Sequence, residues 1–260
     1  MNNNNRFSEF APAIRTLDID HIEHPADIPA TFLLGQDAAL SSHYIPFDCV
    51  NPSARLVLVG ITPGFTQWKN AMREAKRQLL AGATLDAAHQ AAKQTGAFSG
   101  AMRPNLIALL DHIGLNRWLG LSSCDALFGP ASHLVQTTSV LRHPVFVDGK
   151  NYNGTPNMTR TPFLRQQIET HFALEARALD GAVFVPLGPR VTEALDWLAQ
   201  RGAIRADRIL RGLPHPSGAN AERIAYFLGR KARGALSAKT DADRLDALNR
   251  DLQARVLALR

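Results

Sequence analysis

Two short stretches carry residue types whose spacing could do chemistry. The sharper is Leu213-Pro214-His215-Pro216-Ser217-Gly218-Ala219-Asn220. Prolines on both sides stiffen the backbone, so the His215 ring is held rather than left mobile. A held imidazole can offer a hydrogen bond at neutral pH. Ser217 and the amides after it suit an anion at the start of a helix. A lone histidine after a strand is usually structural, and the Pro-His-Pro-Ser-Gly context argues against that here. The other stretch is Gly60-Ile61-Thr62-Pro63-Gly64. Its glycines let backbone approach a ligand closely and its proline sets the turn. Taken alone it is a common strand-to-helix turn. A third group, Asp20, His21, Glu23 and His24, has metal-ligating types. Its spacing matches no zinc signature, so it reads as surface.

Both stretches follow runs that read as buried strands. Arg55–Thr62 is a short apolar run ending in Pro63-Gly64, as expected of a parallel strand covered on both faces. Further strands are expected at His133–Leu141, Ala182–Leu187 and Arg208–Leu213, the last broken by Pro214. Helices are expected over Gln67–Ala81, Thr84–Lys93, Arg103–Gly114, Pro162–Leu179, from Gly188-Pro189 onward, and over Ala221–Gly234. The lead-in over 8–54 has one or two short helices, for instance around Asp27–Gly35. The Gly-, Asn- and Pro-rich stretch Arg142–Thr161 reads as a long loop, which in a compact domain is functional or disordered. Strands alternating with helices predict an α/β/α three-layer sandwich around a mostly parallel, four-stranded sheet. Ligands of such sheets bind beyond the carboxyl ends of the strands, where both stretches fall.

The chain has 260 residues, 45% of them hydrophobic, enough for a substantial core. Residues 1–7 read as a disordered Asn-rich tail without the apolar core of a signal peptide. Residues 8–234 read as one domain. Residues 235–260 read as an amphipathic helix packed on it through Leu245, Leu248, Leu252, Val256 and Leu259. The net charge of +6 and pI near 9.7 favour a polyanionic partner, nucleic acid first. Two cysteines are too few for a disulfide framework or a cysteine-rich metal site. No apolar run reaches the roughly 18 residues of a membrane span. A cytoplasmic monomer is expected, with no membrane attachment.

Together the two stretches resemble the uracil-DNA glycosylase superfamily, which pairs a Gly-x-x-Pro-Gly loop after the first strand with a His-Pro-Ser loop after the last. Three further segments are similar in order and spacing: Gly96–Gly100 with the helix after it, Val135–Arg142, and Val183–Gly188. The resemblance spans roughly Arg55–Arg233. It implies the fold just described, DNA as partner, and a base extruded from the helix, because a base inside a duplex cannot be reached. It implies that His215 donates a hydrogen bond to the departing base and that Thr62 stands where the attacking water is oriented. It implies that Phe98 stacks on the base, with Phe65, Ser139, Gly60 and Ile61 around it. Phosphates fall to Pro63, Gly64, Ser217, Gly218 and Asn220, with Arg142 and Lys150 adding charge. No metal or other cofactor is expected.

Two departures redirect the expected substrate. Thr62 stands where the family usually has Asp, Asn or Glu, and a hydroxyl is a poor general base near neutral pH. Asp148 is one candidate carboxylate to assist. Ser139 stands where Asn reads uracil. A shorter side chain gives up the bidentate match and leaves more room. The leading expectation is therefore a glycosylase for a bulky modified base, such as the glucosylated hydroxymethylcytosine of phage DNA, in antiviral defence. A uracil or deaminated-base repair enzyme and a non-catalytic nucleotide binder remain as alternatives.

Overall fold

The computed structural model describes residues 6–99 and 102–259. Residues 1–5 of the expected tail, and Gly100 of the Gly96–Gly100 segment, lie outside them. In chain order the elements are α1 (Phe7–Thr16), β1 (Leu33–Asp37), β2 (Leu40–His43), β3 (Leu56–Gly60), α2 (Phe65–Leu80) and α3 (Leu85–Gly96). There follow α4 (Met102–His112), α5 (Leu115–Trp118), β4 (Val135–Ser139), β5 (Val145–Val147) and β6 (Lys150–Asn151). Next, α6 (Pro162–Gln167) runs through a π turn (Ile168–Phe172) into α7 (Ala173–Ala178). The chain closes with β7 (Val183–Pro186), α8 (Pro189–Ala199), α9 (Ala221–Phe227) and α10 (Ala242–Leu257).

The fold is mixed α/β with a three-stranded sheet in the order β4-β3-β7. Every residue of β3 is buried, as an apolar run of this kind requires. β3 and β7 pair in parallel from Leu56↔Val183 to Val59↔Pro186. Arg55 donates to Leu134 at one end of the β3–β4 edge and Leu141 donates to Ile61 at the other, so that pair is parallel too. The expected fourth strand is corrected: Arg208–Leu213 reduces to one parallel bridge, Phe184↔Ile209. Arg208 closes a 3-10 turn, Gly212 sits at φ +105°, and Pro214 has no N–H to give, so no ladder can continue.

A second sheet was not expected. β1, β2, β5 and β6 form an antiparallel sheet in that order. It replaces both the helix expected around Asp27–Gly35 and much of the loop expected at Arg142–Thr161. The first of these regions keeps only 3-10 turns at Pro25–Asp27 and Ala30–Phe32. The second carries the β5–β6 hairpin. Its turn, Asp148-Gly149, has φ of +48° and +70°, the backbone that an Asp-Gly pair favours between twisted strands.

The chain divides into two compact units. The first comprises residues up to Val50, Ile61–Ser99 and Thr138–Glu175; the second comprises Asn51–Gly60, Gly100–Thr137 and Ala176–Arg260. In the first, α2 buries Trp68, whose indole N–H donates to the Tyr44 carbonyl at 2.8 Å. In the second, α10 buries Leu245, Leu252 and Val256. Its Asn249 donates to the Phe227 carbonyl at 3.1 Å. Among the described residues, no helix is long and apolar enough to cross a membrane.

Candidate functional site

The His215 stretch lies wholly in the second unit. Pro214 and Pro216 are buried and His215 is half-buried. The backbone around the histidine is tied at several points. Asn105 donates to the Pro216 carbonyl at 3.0 Å, and Asn220 donates to the His215 carbonyl at 3.2 Å. The Ser217 amide donates to His215 Nδ1 at 3.3 Å. A nitrogen that accepts cannot also carry the proton, so this bond selects the tautomer protonated at Nε2. Burial lowers the His215 pKa below the ordinary 6.5, which keeps the ring neutral at physiological pH. The result is a neutral imidazole with Nε2–H as its remaining donor.

The ring lines a cavity of about 620 Å³ in the same unit, within the range of small-ligand pockets. Gly188 at the start of α8 forms its wall, with Leu213, Pro214 and Leu248 as apolar surface. Arg223, Lys239 and Arg244 also line it.

The chain belongs to the YoxB family. It is 40% identical over 199 residues to the uncharacterized protein YoxB of Bacillus subtilis strain 168, covering 75% of this chain and 78% of that one. No family model matches, and no solved structure does. Gly60, Gly218 and the three residues of the tied loop, His215, Ser217 and Asn220, fall in the second unit of this chain. Gly60 is buried at the end of β3 and Gly218 is exposed. Asn220 is committed on both ends of its amide, because Arg223 also donates to its Oδ1 at 2.8 Å.

The other expected site residues fall in the first unit. Thr62 Oγ1 donates to the His143 carbonyl at 2.9 Å and accepts from the Val145 amide at 3.1 Å. It therefore pins the strand-to-strand turn at 143–145. Ile61 and Gly64 are half-buried and Pro63 is buried. The Gly64 amide donates to Gln67 Oε1 at 2.8 Å, and the Phe65 amide to Asn151 Oδ1 at 2.9 Å. Both amides at the start of α2 are thus satisfied within the unit. The Phe65 ring stacks on Trp68 with centroids 6.2 Å apart. Phe98 is buried and sits at φ +49°, a backbone that costs a bulky L residue about 1–3 kcal/mol. Such strain persists where the surroundings demand it. Ser139 ends β4, buried. Lys150 is exposed on β6, and Asp148 is exposed at the hairpin turn.

Arg142 is placed differently from its expected role. It is buried, and its guanidinium pairs with buried Glu175 at 2.9 Å. Thr138 donates to the same carboxylate oxygen at 3.1 Å. Beside this pair the rings of His143 and His171 meet edge to face at 5.3 Å. Among the described residues, Nδ1 of each of these histidines has no hydrogen-bond partner. Burial holds His143 at about 3, aided by nearby His171 and Arg142. Burial likewise holds His171 at about 4, with Arg142 contributing. Sequence reasoning missed these histidines because nothing about single residues in a Pro-rich stretch and in mid-helix signals a shared buried layer. The acid–base pair Asp48–His89 is also buried, at 2.8 Å. Among the described residues, no three His, Cys, Asp or Glu side chains converge to hold a metal ion. His21 of the Asp20–His24 group is exposed and pairs with Asp18 at 2.7 Å.

Proposed function

We propose that the protein is a DNA glycosylase that extrudes and excises a modified base, leaving an abasic site. The single observation that carries this reading is the tied, neutral His215 with its Nε2–H donor beside a cavity. Breaking an N-glycosidic bond puts positive charge on the sugar and negative charge on the departing base. A fixed donor stabilises that negative charge, which exists only in the transition state. A neutral donor suits the role, because its hydrogen bond strengthens as the base becomes anionic. The His-Pro-Ser context, the parallel sheet behind it and the basic chain support the same reading. It takes the sheet as the centre of a three-layer α/β/α sandwich of the uracil-DNA glycosylase kind. Bulky modified cytosine, including the glucosylated form in phage DNA, is the proposed substrate, because Ser139 cannot make the two-point match that Asn makes to uracil.

The decisive experiment incubates the protein with glucosylated, hydroxymethylated, uracil-containing and plain DNA, then counts abasic sites. Abasic sites in the glucosylated DNA alone are expected, and His215→Ala should reduce them by about 100-fold or more, as loss of one such donor does elsewhere. Sites in uracil DNA instead would make this a repair enzyme. One observation favours a second reading, a nucleotide binder without turnover. The Thr62 hydroxyl is spent on His143 and Val145, so it has no O–H left to orient an attacking water. Binding lost in His215→Ala, with no abasic sites on any DNA, would establish that reading.

A further inference from the structure

The cavity beside His215 has a second wall that the family resemblance does not account for. It is built from the segment entering α10 and from α10 itself: Lys239, Asp241, Arg244, Leu245 and Leu248. This wall is held tightly against the His215 stretch. A Cβ on Gly212 would meet Leu248 Cδ2 at 2.6 Å, so the close approach depends on glycine at that position. Arg223 adds a polar tie, donating to Asn220 Oδ1 at 2.8 Å and to the Lys239 carbonyl at 3.1 Å.

The charges in this cavity do not balance. Of its acidic groups, Glu193 pairs with Arg190 at 3.0 Å, while Asp241 caps α10 by accepting from the Arg244 amide at 3.0 Å and keeps its charge. Arg211 is held by Asp196 at 2.6 Å. Lys239 and Arg244 are exposed and form no ion pair among the described residues. Arg223 is likewise exposed and in no ion pair among the described residues, so three cations face one unpaired carboxylate, Asp241, over an apolar floor of Pro214 and Leu248. An apolar floor with cations at its rim matches a sugar-phosphate backbone, whose sugar faces are apolar and whose phosphates each carry one negative charge.

We infer that this cleft is a phosphodiester-binding groove, in which Lys239 and Arg244 hold phosphates of a nucleic-acid strand that passes His215. That strand is the one carrying the excised base, and in this respect the inference rests on the function proposed above. The α10 segment then belongs to the nucleic-acid surface instead of serving only as packing.

The test is binding of a short fluorescent single-stranded oligonucleotide, measured by anisotropy over a range of salt concentrations. The Lys239→Gln/Arg244→Gln double variant should bind about tenfold more weakly at low salt. Its slope of log affinity against log salt should fall by about 1.4, the value for two single-strand phosphate contacts. A control variant, Arg15→Gln/Arg165→Gln, removes two exposed cations from the first unit and should leave the slope unchanged. An unchanged slope in the first variant, or an equal drop in the control, overturns the groove. Competition by a nucleoside monophosphate as effective as by the oligonucleotide also overturns it, in favour of a free-nucleotide site. His215→Ala should keep the wild-type salt slope. The proposed function fails on its own if no DNA yields abasic sites while the double variant still loses its slope.

Discussion

A Cβ placed on Gly188 would stand 3.3 Å from Cδ2 of His215 and 3.6 Å from its Cβ. The Gly188 backbone, at φ +100° and ψ 164°, is one that essentially only glycine adopts. The start of α8 and the histidine ring thus share a boundary where a side chain fits only if the ring gives way by a few tenths of an ångström. Gly188→Ala should cost about 1–3 kcal/mol of backbone strain and displace the ring as well. We expect a drop in excision larger than the drop in thermal stability accounts for. Comparing initial rates with melting temperature checks this, and a rate preserved in a destabilised variant would separate Gly188 from the site.

The Ser217–His215 bond makes a pH prediction. It exists only while Nδ1 is unprotonated, and burial pushes the pKa of the ring below 6.5. Excision should therefore be level through neutral pH and fall only on the acid side of 6.5, as Nδ1 takes a proton and releases the Ser217 amide. A rate profile read beside an NMR titration of His215 tests this. A midpoint above 6.5 would contradict the neutral-donor reading.

Stability should fall separately in acid. His143 at about 3, and His171 and His43 at about 4, stay neutral in the folded protein. In the unfolded chain they take up protons near 6.5. Their folded values are depressed, so the unfolded state binds more protons between about 6.5 and 3. Stability is then full above that window and is lost as pH falls through it. Urea titrations across the window measure the slope. His143→Phe should flatten it, and an unchanged slope would remove His143 from the account.

The Arg142–Glu175 pair is predicted to be structural. Removing one partner leaves a buried charge without compensation, at a cost of about 3–5 kcal/mol. Arg142→Met/Glu175→Leu together should recover most of it, since a buried pair replaced by apolar groups is often neutral or stabilising. Chemical denaturation of the single and double variants gives the comparison. A phosphate-binding role would instead show as weaker DNA binding by Arg142→Met with stability intact.

Thr62→Val removes a hydroxyl that makes two backbone bonds and should cost about 1–3 kcal/mol. Thr62→Ser should restore it. Excision that follows stability through both variants marks Thr62 as a positioning residue for the 143–145 turn. Excision lost in Thr62→Val with stability unchanged would return it to the chemistry.

The parts legible in the sequence were those that local chemistry encodes. β3 and β7 are continuous apolar runs, and each is followed by glycine and proline turns that place Gly60–Gly64 and Gly188-Pro189 where expected. The His215 loop announced itself through its prolines. The antiparallel sheet was hidden because its strands are short and partly polar, and the β2–β5 pairing that joins its two hairpins, such as Leu40↔Val147, spans more than a hundred residues. One local signal was available: Asp148-Gly149, the favoured pair for a two-residue hairpin turn, flanked by Val145-Phe146-Val147 and Lys150-Asn151. The burial of Arg142 was not legible. An arginine at a strand end reads as solvent-facing until its carboxylate partner is known, and Glu175 lies 33 residues on.

That partner owes its direction to the π turn at Ile168–Phe172. A π turn carries one residue more than the α-helical turn it replaces. Each helical residue rotates the chain by about 100°. If one residue were excised there, everything after it would swing by that angle, and Glu175 would leave Arg142 with no substitution made to either. The helix thus keeps a reading frame of its own. A one-residue deletion in 168–172 should be far more damaging than any single exchange there, and the tolerated lengths of this helix are set by a charge pair beyond the turn.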